Sequence, residues 1–177
     1  RTPAGYWNCL FDRMRGPDFR LVPVASEAES TQTTMLKGFD AMDGVKLGTD
    51  GGGAVNESGK SYIQWLFKRA PKFMDVVAYE GNDGTNRAVG HSLTVAPELV
   101  LVKSRSAAQD WKMWHSGLSG TLYNIRLDTT GAETQSSTGI FGSTAASSTN
   151  FYVDDTGNTS ITNNLNHDYI AYLFATL

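Results

Sequence analysis

Alternating apolar and polar residues mark several short strands in the sequence. Residues 122–128 place Tyr123, Ile125 and Leu127 on one side and polar residues on the other. Because successive side chains of a strand point to opposite faces, this pattern predicts one face against a core and one in water. Residues 150–154 show the same alternation over a shorter length. Strands of this half-buried kind are typical of antiparallel sheets.

Other segments are apolar at successive positions or form short apolar runs between turns. We expect strands at residues 73–79, 87–93, 99–103, 111–115 and 169–176. Turn residues separate them, as in the Asp-Gly pair within residues 81–84, and one short helical turn is expected near residues 130–134. About seven or eight strands with these turn signals indicate an all-β chain, built as an antiparallel β-sandwich or jelly roll.

The sequence contains an internal repeat, which becomes visible when Trp7 is aligned with Trp111, 104 positions later. The same offset relates Arg1 to Arg105, Gly16 to Gly120, Glu29 to Glu133 and Gly38 to Gly142. It grows to 107 where residues 62–67 match residues 169–174, both with the pattern Tyr-Ile-x-aromatic-Leu-Phe. Offsets that change only inside glycine- and serine-rich stretches are expected when loops differ between copies of one fold. The sequence therefore predicts two β-modules in tandem.

The repeat also predicts the domain boundaries. Residues 1–67 form the C-terminal part of a first β-module, residues 68–72 are a connector, and residues 73–177 form a complete second β-module. The first module has no counterpart of residues 73–104, and an incomplete module would leave strand edges and apolar faces uncovered. We therefore expect upstream residues or a neighbouring chain to complete it, so that the chain is not a self-sufficient monomer.

The overall composition disfavours several classes of protein. A net charge of −3 and a pI near 5.5 give no sign of the clustered basic face that binds nucleic acid. No stretch approaches the ~18 consecutive apolar residues of a membrane span. Cys9 is the only cysteine, so neither an internal disulfide nor a cysteine-based metal site is expected. We predict no nucleic-acid partner, no membrane partner and no cofactor.

The residue types that most often carry catalysis occur singly. His91, His115 and His167 stand apart in the sequence, and a general base needs a positioned partner. Cys9 matches Met113 in the repeat, which favours a packing role over a nucleophilic one. We therefore predict no catalytic residue and expect that the chain is not an enzyme.

Carboxylates offer two further candidates for a site. Glu29 and Glu133 occupy the same place in both copies, either as a ligand-binding carboxylate used twice or as a residue that accepts backbone hydrogen bonds or caps a short helix. The second interpretation is favoured. Asp154 and Asp155 with Asn158 form part of a calcium-loop pattern, but they do not show its alternating oxygen ligands. No metal site is predicted.

The tryptophans divide into core residues and one candidate for ligand binding. Trp7 and Trp111 occupy the same repeat position, and Trp65 matches a tyrosine of residues 169–174, so all three are predicted to be core. Trp114 is matched by Leu10 and is freer to stack on a sugar ring, as exposed aromatic residues do in many β-sandwiches. We take Trp114 as the candidate ligand-binding residue.

Several short motifs resemble a β-module found, often in tandem, in uncharacterised structural proteins of tailed bacteriophages. These motifs are residues 62–67, Lys72-Phe73-Met74-Asp75-Val76-Val77, Gly81-Asn82, Gly90-His91-Ser92-Leu93 with Pro97, Val100-Leu101-Val102-Lys103 and Asp110-Trp111, together with Asp12-Arg13-Met14-Arg15-Gly16 and Ala28-Glu29 in the first copy. They span nearly the whole chain and are structural rather than catalytic.

The resemblance implies a non-enzymatic component of a bacteriophage virion, in a tail, fibre or capsid appendage, that acts as a spacer and contact surface. Such modules often accompany concanavalin-like lectin domains, which gives the alternative of a carbohydrate-binding module for host recognition. The partners expected from this resemblance are other virion proteins, copies of the chain itself, with a trimer as the first arrangement, and a host-surface glycan. The expected location is the extracellular virion particle.

Overall fold

The computed structural model describes residues 7–42, 44–50, 52–137, 140–155 and 162–176, which form strands and loops without a helix. The strands are β1 (Leu10–Asp12), β2 (Gly16–Leu21), β3 (Ser30–Thr31), β4 (Leu36–Ala41), β5 (Gly44–Leu47), β6 (Met74–Glu80), β7 (Arg87–Gly90), β8 (Leu99–Ser104), β9 (Lys112–His115), β10 (Tyr123–Arg126), β11 (Thr134–Gln135), β12 (Asn150–Val153) and β13 (Asp168–Phe174). All pairings are antiparallel. The predicted all-β, antiparallel fold is confirmed. The helical turn expected near residues 130–134 is wrong, because Thr134 and Gln135 pair with β10 as a strand.

Six strands form the main sheet in the order β11-β10-β9-β8-β13-β6. The strand β13 lies inside this sheet and pairs with β6 along residues 168–174 and with β8 along residues 169–174. Its side chains from Tyr169 to Leu173 are all buried. Alternation of apolar and polar residues is expected only where one face of a strand meets water. The continuous apolar sequence of β13 therefore reflects a strand that is covered on both faces.

The two-stranded sheet β12-β7 covers one face of the main sheet. Phe151 and Val153 of β12 lie with Val89 of β7 in one apolar cluster. The main sheet contributes alternate residues of two strands to this cluster, namely Val100, Val102, Tyr169, Ala171 and Leu173. Two sheets that share a core through their inner faces form a β-sandwich-like arrangement.

The sheet β1-β2-β3 covers the opposite face of the main sheet. Leu21, the last residue of β2, is fully buried in a second apolar cluster with Trp111, Ile170 and Tyr172. The Trp111 indole Nε1 also donates a hydrogen bond to the carbonyl oxygen of Val22 at 2.9 Å. The amino-terminal strands therefore share a core with the main sheet, which is buried between two layers.

The pairing of β2 with β3 repeats that of β10 with β11. The opposed residues are Phe19 and Thr31 in the first pair, and Tyr123 and Gln135, each 104 positions later, in the second. A glycine with positive φ stands at the start of each arrangement, Gly16 at 95° and Gly120 at 150°, a region that glycine adopts without steric cost. The two segments therefore place corresponding side chains at equivalent strand positions.

Strand β10 does not separate a buried apolar face from an exposed polar face in the way that the alternation predicted. Asn124 is only 2% exposed, whereas Leu127, one residue beyond the end of β10, is 41% exposed. Asn124 tolerates burial because its side-chain amide donates a hydrogen bond to the Thr134 carbonyl of β11 at 3.1 Å. The prediction is therefore wrong for Asn124 and Leu127, whereas Tyr123 and Ile125 are half-buried and Arg126 is exposed. Alternation indicates which residues share a face, but the neighbouring layers decide which face is covered.

Candidate functional site

Residues 62–67, which we call the exposed segment, carry the largest group of adjacent apolar side chains in contact with water among the described residues. Ile63 is 84% exposed, Trp65 79% and Leu66 64%, and Tyr62 and Phe67 are also exposed. The segment lies outside every strand. The prediction that it forms a strand equivalent to β13, with Trp65 in a core, is therefore wrong for this structure. Contiguous exposed apolar surface of this kind marks interaction sites in soluble proteins.

Both ends of the exposed segment are anchored to the folded body. The Tyr62 hydroxyl donates a hydrogen bond to the Gly53 carbonyl at 2.7 Å and accepts one from the Glu57 amide at 2.9 Å. At the other end, the ring of Phe67 packs edge-on against Phe174 of β13, with centroids 5.7 Å apart. The apolar side chains between these anchors are thus presented at a defined place.

The chain after the exposed segment is fixed to β6. Arg69 forms an ion pair with Asp75 at 2.6 Å, and the amide of Ala70 donates a hydrogen bond to the Met74 carbonyl at 3.0 Å. The Asp75 carboxylate also accepts hydrogen bonds from the Val76 and Ser92 amides, at 2.9 and 2.7 Å. This buried carboxylate is fully used in holding the start of β6, which leaves it unsuited to catalysis.

A buried polar cluster, which we call the interlayer network, joins the amino-terminal strands to the main sheet. It consists of Asp12, Arg15, Glu29, Arg105 and Tyr172. The Arg15 guanidinium contacts Asp12 at 2.6 Å and Glu29 at 3.1 Å, and Glu29 binds Arg105 through two hydrogen bonds of 3.0 Å. The Tyr172 hydroxyl of β13 donates a hydrogen bond to Asp12 at 2.5 Å. The network therefore connects two layers through charged side chains.

The electrostatics of the interlayer network favour a structural role. Burial alone would lower the pKa of Arg15, but the nearby Tyr172 and Asp12, together with hydrogen bonds to Asp12 and Glu29, raise it. Burial raises the pKa of Tyr172 well above its ordinary value. Arg15 also donates hydrogen bonds to the Leu10 and Phe19 carbonyls, both at 3.1 Å. A permanently charged guanidinium with this many acceptors holds the layers together rather than transferring protons.

The two repeated glutamates are engaged within the chain. Glu29 accepts hydrogen bonds from two arginines, and Glu133 accepts one from the Ser119 amide at 3.1 Å. Ser119 lies 104 positions after Arg15, so both glutamates contact the same repeat position. Sequence reasoning identified the glutamates but missed Arg15. The repeat could have indicated it, because Arg15 and Ser119 immediately precede the paired glycines Gly16 and Gly120.

The three histidines have separate local partners. The ring of His91 accepts a hydrogen bond from the Leu93 amide at Nδ1 and contacts the Ser147 carbonyl through Nε2, both at 3.2 Å, and burial lowers its pKa. His115 accepts a hydrogen bond from the Gly117 amide at 2.9 Å. His167 packs beside Tyr169, with ring centroids 6.4 Å apart. None of these contacts pairs a histidine with a nucleophile.

Possible metal ligands do not converge within the described residues, where no group of three or more His, Cys, Asp or Glu side chains could hold an ion. Asp154 accepts a hydrogen bond from the Asn86 amide at 2.7 Å, and Asp155 accepts one from Asn164 at 3.2 Å; Asn158 lies outside the described residues. Burial raises the pKa of the Cys9 thiol. Among the residues that the structure describes, no helix is long and apolar enough to cross a membrane.

The tryptophans of the repeat lie in different environments. Trp111 is 1% exposed, whereas Trp7 is 41% exposed, so the prediction of a shared core position is wrong for Trp7. Trp114 is half-buried, packs against the cluster that contains Phe141 and Phe151, and donates a hydrogen bond from Nε1 to the Gly120 carbonyl at 3.3 Å. These contacts of Trp114 are with residues of its own chain, and the glycan site stays a prediction.

Lys103 is a buried cation between the amino-terminal strands and the main sheet. Its residue is fully buried, and its Nζ donates hydrogen bonds to the Ser104, Ser26 and Ala107 carbonyls at 2.9, 3.3 and 3.4 Å. Burial lowers the pKa of Lys103 to about 8, against smaller opposing effects of Asp128 and Asp110. Carbonyl oxygens rather than a carboxylate therefore solvate this ammonium group.

Lys103 is expected to make a contribution to stability that increases between pH 8 and 10.5. Its pKa is lowered in the folded state from 10.5 to about 8, so in this window the unfolded chain binds more protons, and raising the pH favours the folded state. The raised pKa values of Cys9 and Tyr172 lower the stability of both proteins as the pH passes the ordinary values of these groups, 9.0 and 10.0. Urea unfolding at several pH values should therefore show that the stability of the wild type relative to Lys103→Met rises across this window. Lys112, whose pKa burial also lowers, contributes to both proteins equally. Identical pH dependence in the two proteins would contradict the assignment.

A family match covers the exposed segment and the interlayer network together. The model of a family described as Domain of unknown function (DUF7483) matches residues 1–177. The chain belongs to this family. No curated protein and no solved structure matches it. Because the DUF7483 match spans the amino-terminal strands as well as the main sheet, the contacts between them lie within the region that defines the family.

Proposed function

We propose that the chain is a non-enzymatic structural module of a tailed-bacteriophage virion, with the exposed segment as a contact surface. The observation that carries the structural role is the anchored row of exposed apolar side chains that includes Ile63, Trp65 and Leu66. Keeping such side chains in water is unfavourable by about 25 cal/mol for each Å² of apolar surface. A protein that maintains them at a defined place gains this free energy when another surface covers them.

The polar side chains of the chain support the same function. Arg15, Glu29 and Asp75 are all used in holding layers or strands together. The virion setting follows from the resemblance of the short motifs to structural proteins of tailed bacteriophages. In that setting the module acts as a spacer in a tail, fibre or capsid appendage, and its partners are other virion proteins.

The test uses purified particles of the phage that encodes the chain. Mass spectrometry should detect the chain as a stoichiometric component, and its absence from the particles would overturn the virion assignment. A photo-reactive amino acid at position 65 should cross-link to another virion polypeptide, whereas the same group at position 42 should not. Met42 is the matched control because it is fully exposed but lies outside the exposed segment. Equal cross-linking from both positions would contradict a contact surface at residues 62–67.

A further inference from the structure

We propose that the exposed segment is a central β-strand whose two neighbours are supplied by a partner segment similar to residues 73–104, as a pair of strands of the type of β6 and β8. This inference rests on the proposed function, because it names the partner of the same contact surface. It takes its geometry from the main sheet, where the matching strand β13 is present together with both of its neighbours.

The exposed segment corresponds in sequence to β13. Both contain Tyr-Ile-x-aromatic-Leu-Phe, at residues 62–67 and 169–174. In β13 this sequence pairs with β8 on one edge and β6 on the other, and its first five residues are buried. A run that is apolar on both faces is typical of strands with two neighbours and two covered faces. The exposed segment has the composition of such a strand but pairs with no neighbouring strand among the described residues.

Strand β1 has one edge that pairs with no other strand of the described residues. The sheet β1-β2-β3 ends at β1, whereas in the main sheet the corresponding series β9-β10-β11 continues from β9 to β8. Strand β1 pairs with β2 as β9 pairs with β10, with a register that differs by one residue: Leu21 opposes Leu10, whereas Ile125, 104 positions later, opposes Met113. Because β2 and β3 also pair in the same register as β10 and β11, β1 is the counterpart of β9. A strand of the β8 type therefore fits between β1 and the exposed segment. A strand of the β6 type fits the remaining edge of that segment.

The chain that follows the exposed segment passes close to the turn after β1. Arg69, two residues after the exposed segment, contacts Met14 in the turn between β1 and β2, with Nη1 and Sδ 3.6 Å apart. One partner segment that carries both strands can therefore reach both edges.

A second copy of residues 1–177 does not fit this place. In each copy β6 and β8 already enclose β13 through pairings that extend along its whole length, and using them elsewhere would expose the buried residues of β13. The occupant is therefore a strand pair whose own central strand is absent. Its chemistry is that of residues 73–104, with two apolar strands, β6 and β8, joined through β7.

The test is a fusion in which a copy of residues 73–104 is placed directly before residue 1. Residue 105 corresponds to residue 1 in the repeat, so the junction reproduces the one found in the complete module. Hydrogen exchange is measured on this fusion and on residues 1–177. We expect amide exchange in residues 62–67 to slow by about 100-fold or more in the fusion, since amides of paired central strands exchange only through larger openings, and we expect the fusion to be monomeric.

Two variants control for the strand pairing. Leu101→Pro within the added copy removes a ladder donor from a central strand and should abolish the protection of residues 62–67. Leu66→Pro in the segment itself should do the same in the fusion, yet leave the exchange of β13 unchanged in residues 1–177. Slow exchange of β13 also verifies that the main sheet is folded in every protein.

The outcomes separate this inference from the proposed function. Unprotected residues 62–67 in a fusion with a protected β13 would overturn the inference, whether or not the added copy is itself protected. Protection of residues 62–67 in residues 1–177 through self-association would also overturn it, because the occupant would then be a second copy. Cross-linking from position 65 in phage particles, combined with failure of the fusion, would leave the contact surface standing and reject only the strand pair.

Discussion

Replacing Trp111 with alanine is expected to lower the free energy of unfolding by about 3–5 kcal/mol, the usual range for a large buried aromatic residue. Trp111 is 1% exposed and lies between the main sheet and β1-β2-β3. Its ring stacks against Tyr172 of β13, with centroids 6.2 Å apart. The substitution removes packing from both layers at once. Urea unfolding followed by circular dichroism measures the loss.

A more conservative substitution separates packing from hydrogen bonding. Trp111→Phe keeps an aromatic ring but removes the Nε1 donor to the Val22 carbonyl. An acceptor left without a partner in a buried place costs about 1–3 kcal/mol. We therefore expect Trp111→Phe to lie between the wild type and Trp111→Ala in urea unfolding.

Trp65→Ala is the matched control for Trp111→Ala. Trp65 is 79% exposed, and substitutions of exposed residues usually change stability by no more than about 0.5 kcal/mol. A loss in Trp65→Ala as large as that in Trp111→Ala would show that the exposed segment is covered in the isolated chain. That result would contradict the contact surface proposed for residues 62–67.

Strand positions were largely predictable from the sequence because they depend on local patterns. The apolar runs at 73–79, 99–103 and 169–176 correspond closely to β6, β8 and β13. The residue types of these runs suit a pleated, buried strand, and in the structure each run also has neighbouring strands to pair with. The all-β class followed from these elements and from the turn residues between them.

Partners and covered faces were much less predictable, since they depend on contacts between distant segments. Residues 62–67 and 169–174 share a pattern, yet only the second forms a strand, because β6 and β8 are there to pair with it. Trp111 is likewise buried because Leu21 and Tyr172 pack with it, whereas Trp7 at the matching position is exposed. A sequence pattern indicates the environment in which a segment is stable. That environment is formed by other segments, which the pattern itself does not identify.

The interlayer network could not be predicted because its members come from separate parts of the chain. Asp12 ends β1, Arg15 lies in the turn before β2, Arg105 follows β8, and Tyr172 belongs to β13. Charged residues are mostly found at the surface, so a local analysis assigns Arg15 to solvent. Its side chain is instead 0% exposed, which only the stacking of two layers explains.

Arg15→Met is expected to lower the free energy of unfolding by about 3–5 kcal/mol, the range for breaking a buried ion pair from one side. The substitution leaves the buried Asp12 carboxylate with hydrogen bonds from the Tyr172 hydroxyl and the backbone amide of residue 15 but no counter-charge, while Glu29 keeps Arg105. Arg13→Met is the control, because Arg13 pairs with Asp40 at an exposed site and such pairs contribute about 0–1 kcal/mol. Similar losses in the two variants would contradict a buried network.

A double-mutant cycle tests whether the cost arises from the unpaired carboxylate. Asp12→Asn removes the charge that Arg15 neutralises, and in the wild type it leaves the Arg15 guanidinium with one carboxylate instead of two. In the Arg15→Met background the same substitution removes an uncompensated buried charge, which is favourable because such a charge is costly in the interior. We therefore expect Asp12→Asn to destabilise the wild type and to destabilise Arg15→Met less, or even to stabilise it. Additive effects would mean that Asp12 and Arg15 act independently, since residues in one network couple and distant residues do not.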